Sequence, residues 1–295
     1  MSAADAGDAG APAPPARAVV IGAGTMGHGI AQVLAMAGAE TVLVDRTAEL
    51  VEQGLRRVRE NLDGGVERGK VDAGVRDATL SRLRSDTDTA RAAGEADLVV
   101  EAVPERLDLK REILTRLEAS ADPAAVLASN TSSLSITALQ EGLRNPERVI
   151  GLHYFNPVHI MKLVEVVHGD RTAPDVVYRA VAWCRWMGKE PIVVRDAPGF
   201  ASSRLGVALG LEAIRMVEEG VASPGDIDKA MTLGYRHPMG PLRLTDLVGL
   251  DVRLHIAEYL HERLGERFRP PRLLRDKVEA GELGQKAGCG FFDWT

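Results

Sequence analysis

From Arg17 onward, short apolar runs alternate with longer stretches of helical spacing. "RAVVIG" predicts a strand, "GTMGHGIAQVLAMAG" a helix closed by Gly38, and "ETVLVD" the next strand. Further apolar runs follow at "ADLVVEAV", "AVLASN", "RVIGLHYF", "KLVEVV" and "EPIVV", several of them separated by helical stretches. This alternation predicts a mostly parallel sheet covered on both faces, the doubly wound α/β class. "NPVHI" is too short for a helical crossover, so the last strands are expected to run antiparallel. After "RDAPGF" only helical patterns remain: "RLGVALGLEAIRMVEEG", "SPGDIDKAMTLG", "PLRLTDLVGLDVRLHIAEYLHERLG" and "RPPRLLRDKVEAG". The chain is therefore divided into an α/β domain over 17–196 and an all-α domain over 197–295.

Two segments stand outside this alternation. Residues 46–96 are longer than one crossover helix needs. "ELVEQGLRRVRENL" and "DAGVRDATLSRLR" predict two helices joined by the polar "DGGVERGK", a hairpin insertion over 46–84. Left to composition, this is a solvated helical hairpin; as a functional element it is an extra wall for a large ligand, with Arg56, Arg57 and Arg59 as phosphate contacts. Residues 1–16, "MSAADAGDAGAPAPPA", are dominated by alanine, glycine and proline and read as a disordered tail. They lack the basic and apolar segments of a secretory leader.

Composition removes several function classes. Among 295 residues, 45% are hydrophobic and 26% charged, the balance of a soluble globular protein. A net charge of -6 with scattered arginines argues against nucleic-acid binding. No apolar run approaches the roughly 18 residues of a membrane span. Cys184 and Cys289 are far apart and in no metal-ligand spacing, and the seven histidines form no zinc signature, so no metal is expected. Two isolated cysteines and the missing leader predict a cytoplasmic protein.

"VVIGAGTMGHGI" places Gly22, Gly24 and Gly27 in GxGxxG spacing, after a strand and at the opening of a helix. Gly22 serves the tight turn, Gly24 the approach of a pyrophosphate, and Gly27 the close packing of helix on strand. Thr25 and Met26 complete the turn, and the helix N-terminus offers free N–H groups to phosphates. Asp45 ends the second strand, where a carboxylate accepts the adenosine ribose hydroxyls and repels a 2′-phosphate. These features make the α/β domain Rossmann-type and the cofactor NAD.

"GLHYFNPVHIMKLVEVV" supplies candidate chemistry. If 151–155 and 162–167 pair antiparallel around "NPVHIM", His153 and Glu165 are equidistant from His159 and face each other. A carboxylate among Leu163, Val164, Val166 and Val167 is costly to bury unless its charge is compensated, and His153 compensates it. A histidine oriented by a carboxylate is the arrangement of general acid–base catalysis. His28, His159, His168, His237, His255 and His261 carry no assigned role.

"SNTSSLSIT", the 151–167 stretch, "DAPGF", "HPMGPLRLTDLVGLD" and "GQKAGCGFFDW" together resemble the L-3-hydroxyacyl-CoA dehydrogenase family, notably its bacterial 3-hydroxybutyryl-CoA members, from about residue 17 to the C-terminus. The resemblance implies NAD-dependent oxidation of the 3-hydroxyl of an acyl-CoA. It makes His153 the base, Glu165 its partner and Ser132 the contact to the substrate hydroxyl. It places Glu105, Lys110, Asn156 and Lys286 at the nucleotide, lays CoA along the helical hairpin, and implies a homodimer through the C-terminal helices. By its residues alone, "SNTSS" is also compatible with a helix cap.

One departure is visible. Where the family reads "DxPGFxxNR" this chain reads "DAPGFASSR", so Ser203 replaces an asparagine that helps hold the substrate carbonyl. Two alternatives stay open: a sibling dehydrogenase for a carrier-protein-bound or free hydroxy acid, and a non-catalytic NAD-binding protein, as related lens crystallins illustrate. Ser132, His153 and Glu165 together argue against the second.

Overall fold

The apolar runs become strands, most of them buried on both faces as expected of a covered parallel sheet; "EPIVV" is the exception, with Ile192 and Val193 exposed. A computed structural model describes residues 12–294. Its backbone divides into two compact units at Asp196–Ala197.

In the first unit the order is β1 (Arg17–Ile21), α1 (Gly27–Ala37), β2 (Glu40–Val44), α2 (Ala48–Glu67), α3 (Ala73–Arg82), β3 (Leu83–Asp86), α4 (Thr89–Ala93), β4 (Leu98–Glu101), α5 (Leu107–Ser120), β5 (Val126–Ser129), α6 (Ile136–Gln140), β6 (Val149–Tyr154), β7 (Leu163–His168), α7 (Pro174–Trp186) and β8 (Glu190–Arg195). The strands form one sheet in the order β3-β2-β1-β4-β5-β6-β7-β8. Every neighbouring pair is parallel except β6 and β7, so antiparallel pairing is confined to that hairpin. β8 returns parallel to β7 because α7 provides the crossover that "NPVHI" could not. Ile30, Leu34, Leu43, Leu98, Val100 and Val126 lie in the core between sheet and helices.

The hairpin region differs from its sequence reading in two ways. α2 runs through Gly64 and Gly65 to Glu67, so the helix absorbs five of the eight residues read as a polar joint. Thr47 caps it by accepting from Leu50 N, and Val51, Gly54, Val58 and Leu62 give it one buried stripe. At the far end, Leu83–Asp86 leaves α3 and adds an edge strand beside β2. "LRSD" has two exposed positions and no apolar run, and backbone pairing with β2 makes it a strand. The tail expected over residues 1–16 falls largely on residues 1–11, outside the described residues. Ala13 is described, and its carbonyl accepts from Trp183 Nε1 at 2.8 Å.

The second unit holds α8 (Ser202–Glu218), α9 (Pro224–Lys229), α10 (Pro241–Val248), α11 (Leu250–Leu264) and α12 (Arg272–Glu279). Val207, Leu211, Ile214, Leu242, Leu250, Ala257 and Leu260 make its core. The helical pattern over "PLRLTDLVGLDVRLHIAEYLHERLG" is two helices. They break at Gly249, whose φ of 100° ends the α10 hydrogen-bond run. At the C-terminus, buried Asp246 accepts from Phe291 N at 2.8 Å, Phe292 N at 2.9 Å and Trp294 Nε1 at 2.8 Å, which fixes the terminal aromatic segment.

Candidate active site

The glycine turn after β1 is shaped by close approaches. Gly22 has a φ of 100° and donates its N–H to Val44 O at 2.7 Å; a Cβ there would lie 2.7 Å from Ala102 O. A Cβ on Gly27 would lie 1.7 Å from Gly22 O, so only glycine lets α1 start this close to the turn. Gly24 is the opposite case: a Cβ there would meet nothing within 4 Å, and the backbone is open to an approaching ligand. α1 begins with no side-chain cap and no acidic residue in its first turn, which keeps its N-terminal groups available to an anion.

Asp45 closes the other side of the turn. Its Oδ2 accepts from Ala23 N and its Oδ1 from Arg46 N, both at 2.7 Å. Gly22, Gly24, Thr25, Met26 and Asp45 all line a cleft of about 890 Å³. The cleft lies at the carboxyl ends of β1, β2 and β4, where the strand order reverses, and open parallel sheets bind nucleotides at such a point. An open glycine face, an uncapped helix start and an anchored carboxylate fit a dinucleotide with free ribose hydroxyls, as in NAD.

The β6–β7 register sets His153 opposite Glu165. His153 Nδ1 lies 2.6 Å from Glu165 Oε2, and Glu165 is fully buried. Because a carboxylate can only accept, Nδ1 is the donor in this contact, which orients the ring. The Phe155 ring packs 4.5 Å from the imidazole.

Ser132 sits in the loop after β5, and that loop is organised by Glu105. One oxygen of Glu105, Oε1, lies within reach of five donors: Thr131 Oγ1 at 2.6 Å, Ser132 N at 2.9 Å, Ser133 N at 3.1 Å, and Ser132 Oγ and Ser133 Oγ at 3.2 Å. One oxygen cannot take five strong bonds, so the Ser132 and Ser133 hydroxyls, the two longest contacts, are the most weakly held. Burial works to raise the Glu105 carboxyl, but the Lys110 ammonium and the loop donors outweigh it and hold it below its ordinary value. Asn156 is exposed just past β6.

Three expectations need correction or division. Lys110 does not present a free ammonium to the cleft: it is fully buried, with Nζ 2.9 Å from both oxygens of Glu101 and 3.5 Å from Glu105 Oε2. Arg56, Arg57 and Arg59 do not form one patch. Arg57 lines the dinucleotide cleft with Leu50 and Gln53, one face of α2, while Arg59 lies about 160° around the helix from it. Arg56 is exposed and 4.0 Å from Glu52. Lys286 and Ser203 belong to the second unit. There the Lys286 ammonium is held by both oxygens of Asp251 at 2.6 Å, and Ser203 lies half-buried in the first turn of α8.

Sequence reasoning missed two polar residues that shape the site. Asn130 Oδ1 accepts from Tyr154 N at 2.9 Å, tying the serine loop to the strand that carries His153. Glu101, at the end of β4, is fully buried and holds Lys110. Asn130 lies inside "SNTSS" and Glu101 ends "LVVE", where a terminal carboxylate on a buried apolar strand was the available signal. Among the described residues, no group of three His, Cys, Asp or Glu side chains could hold a metal ion.

Comparison with known proteins accounts for both units. Residues 17–197 match the 3-hydroxyacyl-CoA dehydrogenase NAD-binding domain, and residues 199–294 match the C-terminal domain of the same family. The chain is 44% identical to a probable 3-hydroxybutyryl-CoA dehydrogenase of Bacillus subtilis, over 94% of this chain and 96% of that one. It is similar to the crystal structure of the (S)-3-hydroxybutyryl-CoA dehydrogenase of Ralstonia eutropha, with a TM-score of 0.91, 37% identity, and 95% and 99% of the two chains covered. A diketoreductase acting on dicarbonyl compounds is a more distant structural relative, with a TM-score of 0.84, 30% identity, and 96% and 100% covered. With its glycine turn, Asp45 and the facing His153 and Glu165 all carried on matched segments, the chain belongs to the 3-hydroxyacyl-CoA dehydrogenase family.

Proposed function

We propose that this protein oxidises (S)-3-hydroxyacyl-CoA thioesters, short-chain ones of the 3-hydroxybutyryl type, to 3-ketoacyl-CoA with NAD, reversibly. The observation that carries the reading is the 2.6 Å contact between His153 Nδ1 and buried Glu165, on a chain whose nucleotide cleft has an anchored Asp45. NAD supplies the hydride acceptor when bound; the chain's own residues handle the proton and the oxygen. His153 Nε2 takes the proton of the substrate hydroxyl, and Glu165 stabilises the imidazolium that results. In the reverse direction His153 returns that proton to the ketone oxygen. Ser132 donates its hydroxyl hydrogen to the same oxygen, and Glu105 holds the loop in place while it does so. Formation of NADH on mixing protein, NAD and (S)-3-hydroxybutyryl-CoA tests the reading. Turnover of free 3-hydroxybutyrate at an equal rate, as for a dehydrogenase of small carbonyl compounds, would replace the CoA assignment, and no turnover with either would favour a binding role.

Ser203 is read as a reduced version of the family asparagine, donating to the substrate oxygen directly or through a water. Ser203→Ala is expected to lower kcat about tenfold and to change KM less, below the 10²–10³ of a well-placed oxyanion donor. A kcat equal to wild type would make Ser203 an ordinary helix residue. CoA is assigned to the exposed Arg56 and Arg59 side of the helical hairpin, with Arg57 left to the nucleotide.

The second unit is read as the dimer surface. Leu244, Leu247, Val248 and Val252, on α10 and α11, are all at least one-third exposed, and a second copy would cover them. Sedimentation at micromolar concentration should give twice the chain mass, and a monomer there would remove this assignment. No helix among the described residues is long and apolar enough to cross a membrane. Both cysteines are free thiols, in keeping with action in the reducing cytoplasm.

A further inference from the structure

The network behind the serine loop contains more charge than the chemistry above uses. Glu101, Lys110, Ser129 and Thr131 are all fully buried at the carboxyl ends of β4 and β5. Glu101 Oε1 accepts from Ser129 Oγ and from Lys110 Nζ; its Oε2 accepts from Lys110 Nζ and, at 3.3 Å, from Val103 N. Lys110 also donates to Val103 O at 3.3 Å. Burying two full charges costs several kcal/mol per ion unless each is well paired, so a site needs a reason to hold them here. A pair of apolar residues would fill the same space at lower cost.

The distances supply the reason. Lys110 stands between two carboxylates, 2.9 Å from both oxygens of Glu101 but 3.5 Å from Glu105 Oε2. Glu105 in turn spends its other oxygen on Thr131, Ser132 and Ser133. Were the ammonium not captured by Glu101, Glu105 would be its strongest partner. Lys110 is fully buried, so an ion pair drawn in from 3.5 Å to contact distance outweighs any single bond that Glu105 accepts from the neutral donors of the loop. Glu105 would close on Lys110 and leave the loop.

We infer that Glu101 is a positioning residue: by holding Lys110 it leaves Glu105 free to orient the Thr131–Ser133 loop, and through that loop the Ser132 hydroxyl. Glu101 touches neither substrate nor cofactor in this account. It sets how the Lys110 charge is shared between two carboxylates. The kinetic part of the inference rests on the dehydrogenase reading; the structural part does not.

The test compares Glu101→Gln, Lys110→Met and the double variant in the full chain. Glu101→Gln keeps the shape but removes the negative charge that holds the ammonium. Amide exchange at Ser132 and Ser133, read by NMR or by peptide mass, should accelerate about tenfold, the worth of one hydrogen bond to a charged group. With (S)-3-hydroxybutyryl-CoA and NAD, kcat should fall by a similar factor. In the double variant no ammonium remains to draw Glu105 away, so exchange should return to within about threefold of wild type and kcat should partly recover. A merely structural Glu101 gives a double variant at least as impaired as Glu101→Gln, and that result overturns the inference, as does unchanged exchange in Glu101→Gln. Should Glu101→Gln not fold, Glu101→Asp withdraws the carboxylate by one methylene. Exchange at Ser132 and Ser133 should then rise, and an unchanged rate overturns the inference equally. If wild type fails to reduce NAD with any 3-hydroxyacyl-CoA while the exchange pattern holds, the dehydrogenase reading falls and the positioning role of Glu101 stands.

Discussion

Replacing His153 with alanine is expected to lower kcat by about 10²–10⁴, the span for loss of a positioned general base. The loss should fall on kcat more than on KM, because the imidazole gains its proton only as the reaction proceeds. In the proposed mechanism Glu165 acts through His153, which it contacts at 2.6 Å, by fixing the tautomer and stabilising the charged form. Glu165→Gln should therefore also lower kcat, while His153→Ala/Glu165→Gln should be little worse than His153→Ala alone. Steady-state kinetics of the three variants decide the matter. Multiplying losses would show that Glu165 contributes independently, for instance by holding β7 against β6. A separate cost is expected in Glu165's absence, since strand positions facing one another were built around this pair. Thermal unfolding of each variant measures that cost and keeps it apart from the kinetics.

The second large effect is on cofactor choice. Asp45→Ala should raise the KM for NAD on the order of 10²-fold, because a charged acceptor of two ribose hydroxyls is worth about 1.5–3 kcal/mol per bond before compensation. The same change removes the repulsion that disfavours a 2′-phosphate, so the preference for NAD over NADP should shrink. Arg57 and Arg46, both lining that cleft, would then be the cations nearest to such a phosphate. Asp45 also accepts from Ala23 N, so part of the loss will come from a looser glycine turn. Asp45→Asn separates the two contributions: it can still accept from Ala23 N but carries no charge. Rates with NAD and NADP across a concentration series are the measurement. Wild-type protein using both cofactors equally well would refute the assignment of Asp45.

Much of the α/β unit was legible because its information is local. The central strands are buried on both faces, so they appear in the sequence as uninterrupted apolar runs such as "VVI" and "LVV". The glycine turn was legible because steric exclusion at Gly22 and Gly27 leaves no other residue type possible, and the spacing itself encodes the turn. The facing of His153 and Glu165 followed from counting outward from His159 in a connection too short for a crossover.

What the sequence could not settle was how charges are shared in space. The resemblance placed Lys110 at the nucleotide, yet tertiary packing carries it inside, onto a glutamate nine residues earlier. Arg56, Arg57 and Arg59 were read together as phosphate contacts, but the helix turns Arg57 toward the nucleotide cleft and Arg59 away from it. "LRSD" has no strand pattern of its own and becomes β3 through the backbone of β2. A continuous helical pattern over 241–264 concealed the break at Gly249, because periodicity records which residues face the core and not where the axis turns. Sequence by itself determined most of the elements, the glycine turn and the residues available for chemistry, all governed by neighbours within a few positions. Tertiary structure decided which carboxylate meets which cation, since a buried charge is stable only beside a counter-charge, and that counter-charge is chosen by packing between distant segments.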